Sequence, residues 1–183
     1  GPVPSYKATR NHMHVGFRWQ PYPRQPKNSE ADIARELSKV SSYASFWYMS
    51  LHTLPHKKNL DYANYPSRDA LAIRHAVKLC KKRGIKTELV LWQVPLWMNG
   101  GKTYEDFNKK PPDNQAIYDM VKATVEWFGE DVDYYAIFHE ANHPKYWDGS
   151  WEELMELFIL PAARAIRDYE KETGDKKIVS TAG

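Results

Sequence analysis

Residues 133–147 read DYYAIFHEANHPKYW. The run from Tyr134 to Phe138 is apolar and aromatic, the composition of a strand. It ends abruptly in His139-Glu140-Ala141-Asn142. Burying an unpaired carboxylate is expensive, so a glutamate closing a buried strand is paired, neutralised or at work. In barrels of alternating strands and helices, the C-terminal strand ends carry the reactive side chains. Glu140 is therefore the first candidate for chemistry.

Working outward, strand-like and helix-like segments alternate along the chain. Residues 14–20 (HVGFRWQ) read as a strand, followed by a proline-rich loop with Pro21, Pro23 and Pro26. Ser29 is placed to cap a helix whose stripe is Ile33, Leu37 and Val40. Residues 44–51 (ASFWYMSL) read as a second strand. Ser67 then caps a helix with Ala70, Ile73, Val77 and Cys80 on one face, stopped by Gly84. Residues 86–94 (KTELVLWQV) form a third strand, apolar at its centre as a strand covered on both faces would be.

A helix from Pro112 to about Phe128 carries the stripe Ile117, Val121, Thr124 and Phe128, and Gly129 ends it. The strand leading to Glu140 is the fourth. Ser150-Trp151-Glu152-Glu153 fits a capping box, and Pro161 is expected to kink the helix it opens. Gly174 stops that helix, and residues 176–183 (KKIVSTAG) read as a fifth strand. The pattern is about four and a half βα units, which implies an α/β protein with parallel strands and helical crossovers. A doubly wound sheet and a TIM-type (β/α) barrel, present in part, both satisfy it. No G-x-G-x-x-G follows the first strand and no phosphate loop is present, which removes the usual support for nucleotide binding.

Composition bounds the function. The 183 residues suffice for one domain, expected over 3–183, with Gly1-Pro2 reading as a tag-cleavage scar. A net charge of +3 gives no footprint for nucleic acid. No apolar run approaches the length that spans a membrane. The single cysteine excludes an internal disulfide. The compartment stays open, with an extracytoplasmic setting favoured. Seven Trp and twelve Tyr exceed what a core demands and suit a sugar-binding cleft, where pyranose rings stack on aromatic faces.

On these residues the sequence resembles the clan A glycoside hydrolases, the retaining enzymes built on eight-fold barrels, and most nearly the β-xylosidase and α-iduronidase type. In that clan the fourth strand commonly ends in Asn-Glu-Pro and its Glu is the acid/base; here the residues are His139-Glu140-Ala141. Pro95-Leu96-Trp97 looks like the clan's Pro-x-Trp loop, and residues 178–183 look like its fifth strand. The resemblance implies that Glu140 is the general acid/base and that the nucleophilic glutamate, which follows the clan's seventh strand, lies outside this chain. It implies a carbohydrate substrate, no cofactor and no metal. The sequence departs from the clan at His139, where Asn bonds the sugar 2-hydroxyl, and at Ala141, where Pro stands; His52 stands near the position of the clan's Arg.

The expected substrate-binding rim comprises Arg18, Trp19, His52, Gln93, Trp97, His139, Asn142 and His143, with Trp19 and Trp97 as sugar platforms. Phe138, Tyr135 and Trp147 are expected to give Glu140 an apolar setting. A retaining glycosidase needs two carboxyl groups about 5–5.5 Å apart, one to attack and one to move the proton. A half-barrel leaves open strand edges and an exposed apolar face, so self-association or association with a missing C-terminal half is expected. The alternatives are a carbohydrate-binding relative without turnover and an inert fragment. His139-Glu140-Ala141-Asn142-His143 also matches H-E-x-x-H, the zinc peptidase motif, which works only on a helix; the strand before it and Pro144 after it argue against that context. His12 and His14 form a further His-x-His pair. Lys109-Lys110 and Lys176-Lys177 read as solvated surface.

Overall fold

The structure is a computed structural model that describes residues 29–141 and 143–181. The strand expected at 14–20, the residues Arg18, Trp19, His12, His14 and Asn142, and the side chain of Ser29 lie outside the described residues. Four strands are seen: β1 (Tyr43–Met49), β2 (Lys86–Trp92), β3 (Tyr134–Ile137) and β4 (Ile178–Thr181). All neighbours are parallel and the order is β1-β2-β3-β4, the order of the chain. A doubly wound sheet reverses its order at a switch point. Consecutive order with right-handed crossovers instead stacks every helix on one face, as a barrel wall requires. The fold is thus the (β/α) barrel type, over part of the circuit.

The helices are α1 (Ser29–Val40), a single turn α2 (Ser50–Thr53), α3 (Arg68–Lys82), a single turn α4 (Leu96–Asn99), α5 (Asn114–Phe128), α6 (Trp151–Leu154) and α7 (Leu160–Thr173). Their starts follow from capping. Ser67 Oγ accepts from the Ala70 N–H, Asp113 from Ala116, and Ser150 from Glu153, the last as a full capping box. The expected faces of α3 and α5 are all buried, Cys80 included. In α1 Ala34 and Leu37 are buried and Ile33 packs partly buried on the same core, whereas Val40, expected in the stripe, is 74% exposed. It is the last residue of α1, where the chain turns off toward β1 and the Ser41 N–H closes onto the Leu37 carbonyl.

Pro161 has no N–H to give the carbonyl four residues earlier, and its ring crowds that carbonyl. The chain accommodates this with a π turn over 155–159 between α6 and α7. Gly174, at φ +78°, closes α7 in the left-handed region.

Strand alternation divides the sheet into two faces. Phe46, Tyr48, Leu89, Leu91, Tyr135 and Ile137 point into the main core, against α3, α5 and α7. Trp47, Val90, Trp92 and Ala136 occupy the opposite, inner face with Phe107 and Tyr146. Lys177, expected on the surface, is buried instead. Its Nζ donates to the carbonyls of Gly129 (2.9 Å) and Val132 (2.7 Å) and pairs with Asp175. It ties the loop before β3 to the start of β4, a task that a solvated lysine cannot perform. Lys109 and Lys110 are paired with Asp106 and Glu153.

Candidate active site

The parallel strands bring the residues after Met49, Trp92 and Ile137 to one rim. Two of these strand ends depart from alternation in the same way. Gln93 and Phe138 both have φ +69°, in the left-handed region that side chains other than glycine rarely adopt. The consequence at β3 is direct. Alternation from Ala136 would turn Phe138 to the inner face and His139 away from it. The left-handed Phe138 reverses this. Phe138 enters the helix-side core, edge-on to Trp147 (5.9 Å) and Phe158 (5.1 Å), while His139 turns to the inner face.

His139 rests in an aromatic seat. Its ring centroid lies 4.9 Å from Trp47 of β1, 5.3 Å from Trp92 of β2 and 6.2 Å from Tyr146. Trp92 also meets Phe107 and Tyr146. The loop carrying Tyr146 is pinned to the preceding loop, since the Asp148 N–H donates to the Asn108 carbonyl. Glu140 follows in a second left-handed conformation, φ +48°, and its carbonyl accepts from the His143 N–H to close a turn. Its side chain is about half exposed, and Oε1 lies 3.4 Å from His139 Nε2. A carboxylate so placed is reachable from the barrel mouth and held from below by an imidazole.

The rings expected to surround Glu140 do not. Tyr135, Phe138 and Trp147 are buried on the helix side of the sheet. The aromatic setting comes instead from Trp47, Trp92 and Tyr146, which sequence reading passed over. Parity within β1 separates Trp47 from Phe46 and Tyr48, but only the register, with Trp47 opposite Val90 and Met49 opposite Trp92, sets the two tryptophans side by side.

The remaining expected residues divide. Gln93 is buried at the end of β2, and its Oε1 has no hydrogen-bond partner among the described residues. His52 falls in α2, because β1 ends at Met49; it is exposed and tilted against Tyr104 at 5.8 Å. His143 is exposed, and its Nδ1 accepts from the Lys145 N–H. Trp97 sits farther out. Its indole N–H donates to the Leu54 carbonyl, and the ring lines a cleft of about 280 Å³ with Lys57, Leu60, Met98 and the start of α5.

The backbone from His139 to His143 is turn rather than helix in its described part, so the two histidines do not share the helical face that the zinc peptidase motif needs. Among the described residues no group of three metal-ligating side chains gathers anywhere, and no helix is long and apolar enough to cross a membrane.

A second carboxylate, Glu88, lies on the inner face and accepts from Ser45 at 2.7 Å. It stands four residues before Trp92, or about 13 Å down the strand from the rim. Burial, and then Glu88 itself, push the Tyr43 phenol well above its ordinary range, so this lower layer is a hydrogen-bonded floor.

No protein-family profile matches the chain, and no curated protein sequence matches it. Solved structures do. A family 39 glycoside hydrolase from Bacteroides cellulosilyticus superposes with a TM-score of 0.58 at 16% identity, over 90% of this chain and 30% of that one. A GH5_18 protein from Bifidobacterium longum subsp. longum gives 0.57 at 12% identity, over 91% and 43%. A structure described as a glycoside hydrolase gives 0.54 at 17%, over 90% and 52%. The described fold is shared with the barrels of these glycoside hydrolase structures, and this chain spans about a third to a half of their length.

Proposed function

We propose that this chain is the acid/base-bearing part of a retaining glycoside hydrolase, with Glu140 as the general acid/base and the nucleophilic carboxylate supplied from outside these residues. The observation that carries this reading is the seat of Glu140. It is a solvent-reachable carboxylate three residues beyond β3, at the C-terminal rim of a glycosidase-type barrel, beside an aromatic floor. The acid would protonate the glycosidic oxygen as the nucleophile attacks the anomeric carbon, then take a proton from water in the second step. Glu88 is too far down its strand to be the partner at the required separation of about 5–5.5 Å.

The inner face supports a covered assembly. Ile178 on β4 is 59% exposed on the open side of the described sheet. The rest of a barrel, or a second chain, would cover it. His52, Gln93 and His143 near the rim, Trp97 farther out, and with them Asn142, Arg18 and Trp19, are read as substrate contacts.

The test is hydrolysis of aryl glycosides by the protein carrying the whole barrel. Glu140→Gln should abolish turnover of substrates with poor leaving groups and spare the first step for activated ones, since a good leaving group needs no proton. Equal loss on both, or full activity on both, would remove Glu140 from this role. Sugar binding without turnover in the unaltered protein would favour a carbohydrate-binding relative.

A further inference from the structure

The position before the acid/base is histidine here, and its surroundings assign it a task other than holding the sugar. The ring is seated against Trp47, Trp92 and Tyr146, from three separate elements. Its side chain is only 14% exposed. The left-handed bends at Phe138 and Glu140 bracket it, so the backbone fixes the direction of the ring and of the neighbouring carboxyl together. The ring edge carrying Nε2 is turned to Glu140, at 3.4 Å. That is an ion-pair separation, slightly beyond the roughly 2.7–3.2 Å of a hydrogen bond.

We propose that His139 is a positioning residue for Glu140: its imidazole, clamped by the aromatic seat, orients the carboxyl, and the two side chains are coupled across the contact. This deepens the acid/base reading and rests on it for its catalytic meaning, but the coupling itself is a property of the folded chain. The other titratable groups facing the ring among the described residues are few. Tyr146 contacts it, and His143 and Lys145 lie behind Tyr146, at 5.4 Å and 5.6 Å from that ring. Trp47 and Trp92 contribute no charge.

The experiment is a proton–carbon NMR titration of the histidine rings in this chain, unaltered and as Glu140→Gln, with His52 and His56 as internal references. The glutamine keeps the shape and removes the charge, on a half-exposed side chain whose replacement leaves the core intact. Loss of a neighbouring carboxylate destabilises the imidazolium, so the His139 midpoint should fall. A midpoint that does not move overturns the proposal, because a ring that only fills space would not sense the charge. Failure of the hydrolysis test with the coupling intact would remove the glycosidase reading and leave the pair. An unmoved midpoint in a protein that hydrolyses glycosides through Glu140 would do the reverse.

Discussion

The indole N–H of Trp97 donates to the backbone carbonyl of Leu54 over 2.8 Å. This one bond fastens the loop after β2 to the loop after β1 and fixes the ring that lines the outer cleft. Trp97→Phe keeps an aromatic ring but loses the donor, leaving a carbonyl to find water. The expected cost is about 1 kcal/mol. Trp97→Ala, which also removes the ring, should cost about 2–3 kcal/mol. Urea unfolding of the two variants beside the unaltered chain measures both, and an unchanged midpoint in Trp97→Phe would mean that the hydrogen bond carries nothing.

Lys177 offers a sharper test of the sheet. Breaking it by Lys177→Met leaves two backbone carbonyls without this donor and Asp175 with the Tyr169 hydroxyl alone. The expected destabilisation is about 2–3 kcal/mol. Burial works against the charged form of Asp175, yet the hydrogen bonds from Lys177 and Tyr169 outweigh it and hold this carboxyl below its ordinary range. A group whose folded value is depressed contributes stability above its unfolded value and loses it as the pH falls through the folded one. The difference between the two proteins should therefore be full above about pH 4 and shrink below it. Thermal melts across that range would show it; a pH-independent difference would assign the effect to packing alone.

Much of this scaffold could be read from the chain. The caps at Ser67 and Ser150, the buried stripe from Ala70 to Cys80 and the glycine stops depend on neighbours a few residues apart, so local chemistry determines them. The site was legible only in its anchor, Glu140. Its surroundings depend on register and on two left-handed residues. Periodicity assigns Phe138 to the inner face, and nothing local announces the φ of +69° that sends it to the other side and brings His139 inward. The partnership of Trp47 with Trp92 needs strands 43 residues apart in chain number, counted from Trp47↔Val90 pairing, to lie in a known register. Lys177 misled for the same reason: a lysine beside another lysine reads as surface until the carbonyls that receive it come from a distant loop.

Cys80 supplies a probe of the helix layer. It is fully buried in α3, and burial pushes its thiol up to about 12. The thiolate is the reactive form. At pH 8 a thiol reagent should label the folded chain at least about a thousandfold more slowly than the urea-unfolded one, through transient opening only. A folded value raised above the unfolded one keeps its stabilising effect below about pH 8.5 and loses it as the pH climbs beyond. Rapid labelling in native buffer would mean that α3 is not seated as described.

The last prediction concerns the strain at the rim. Glu140 holds φ +48° with a side chain about half in solvent, so it pays a backbone penalty that its own packing does not repay. A non-glycine residue in this region costs on the order of 1 kcal/mol or more, and such residues gather where geometry serves a reaction. Asparagine tolerates the left-handed region better than glutamate and, unlike glycine, adds no freedom to the unfolded chain. Glu140→Asn should therefore stabilise the fold, by about 0.5–1 kcal/mol, while removing the carboxylate. Replacing a half-exposed glutamate that served only the fold should leave stability the same or lower it. A rise in the unfolding midpoint, measured with Glu140→Gln as the control that keeps the side-chain length and the strain, would indicate that this backbone is held for the sake of the carboxyl it presents. A fall would mean that the His139 contact stabilises the turn by more than the strain costs.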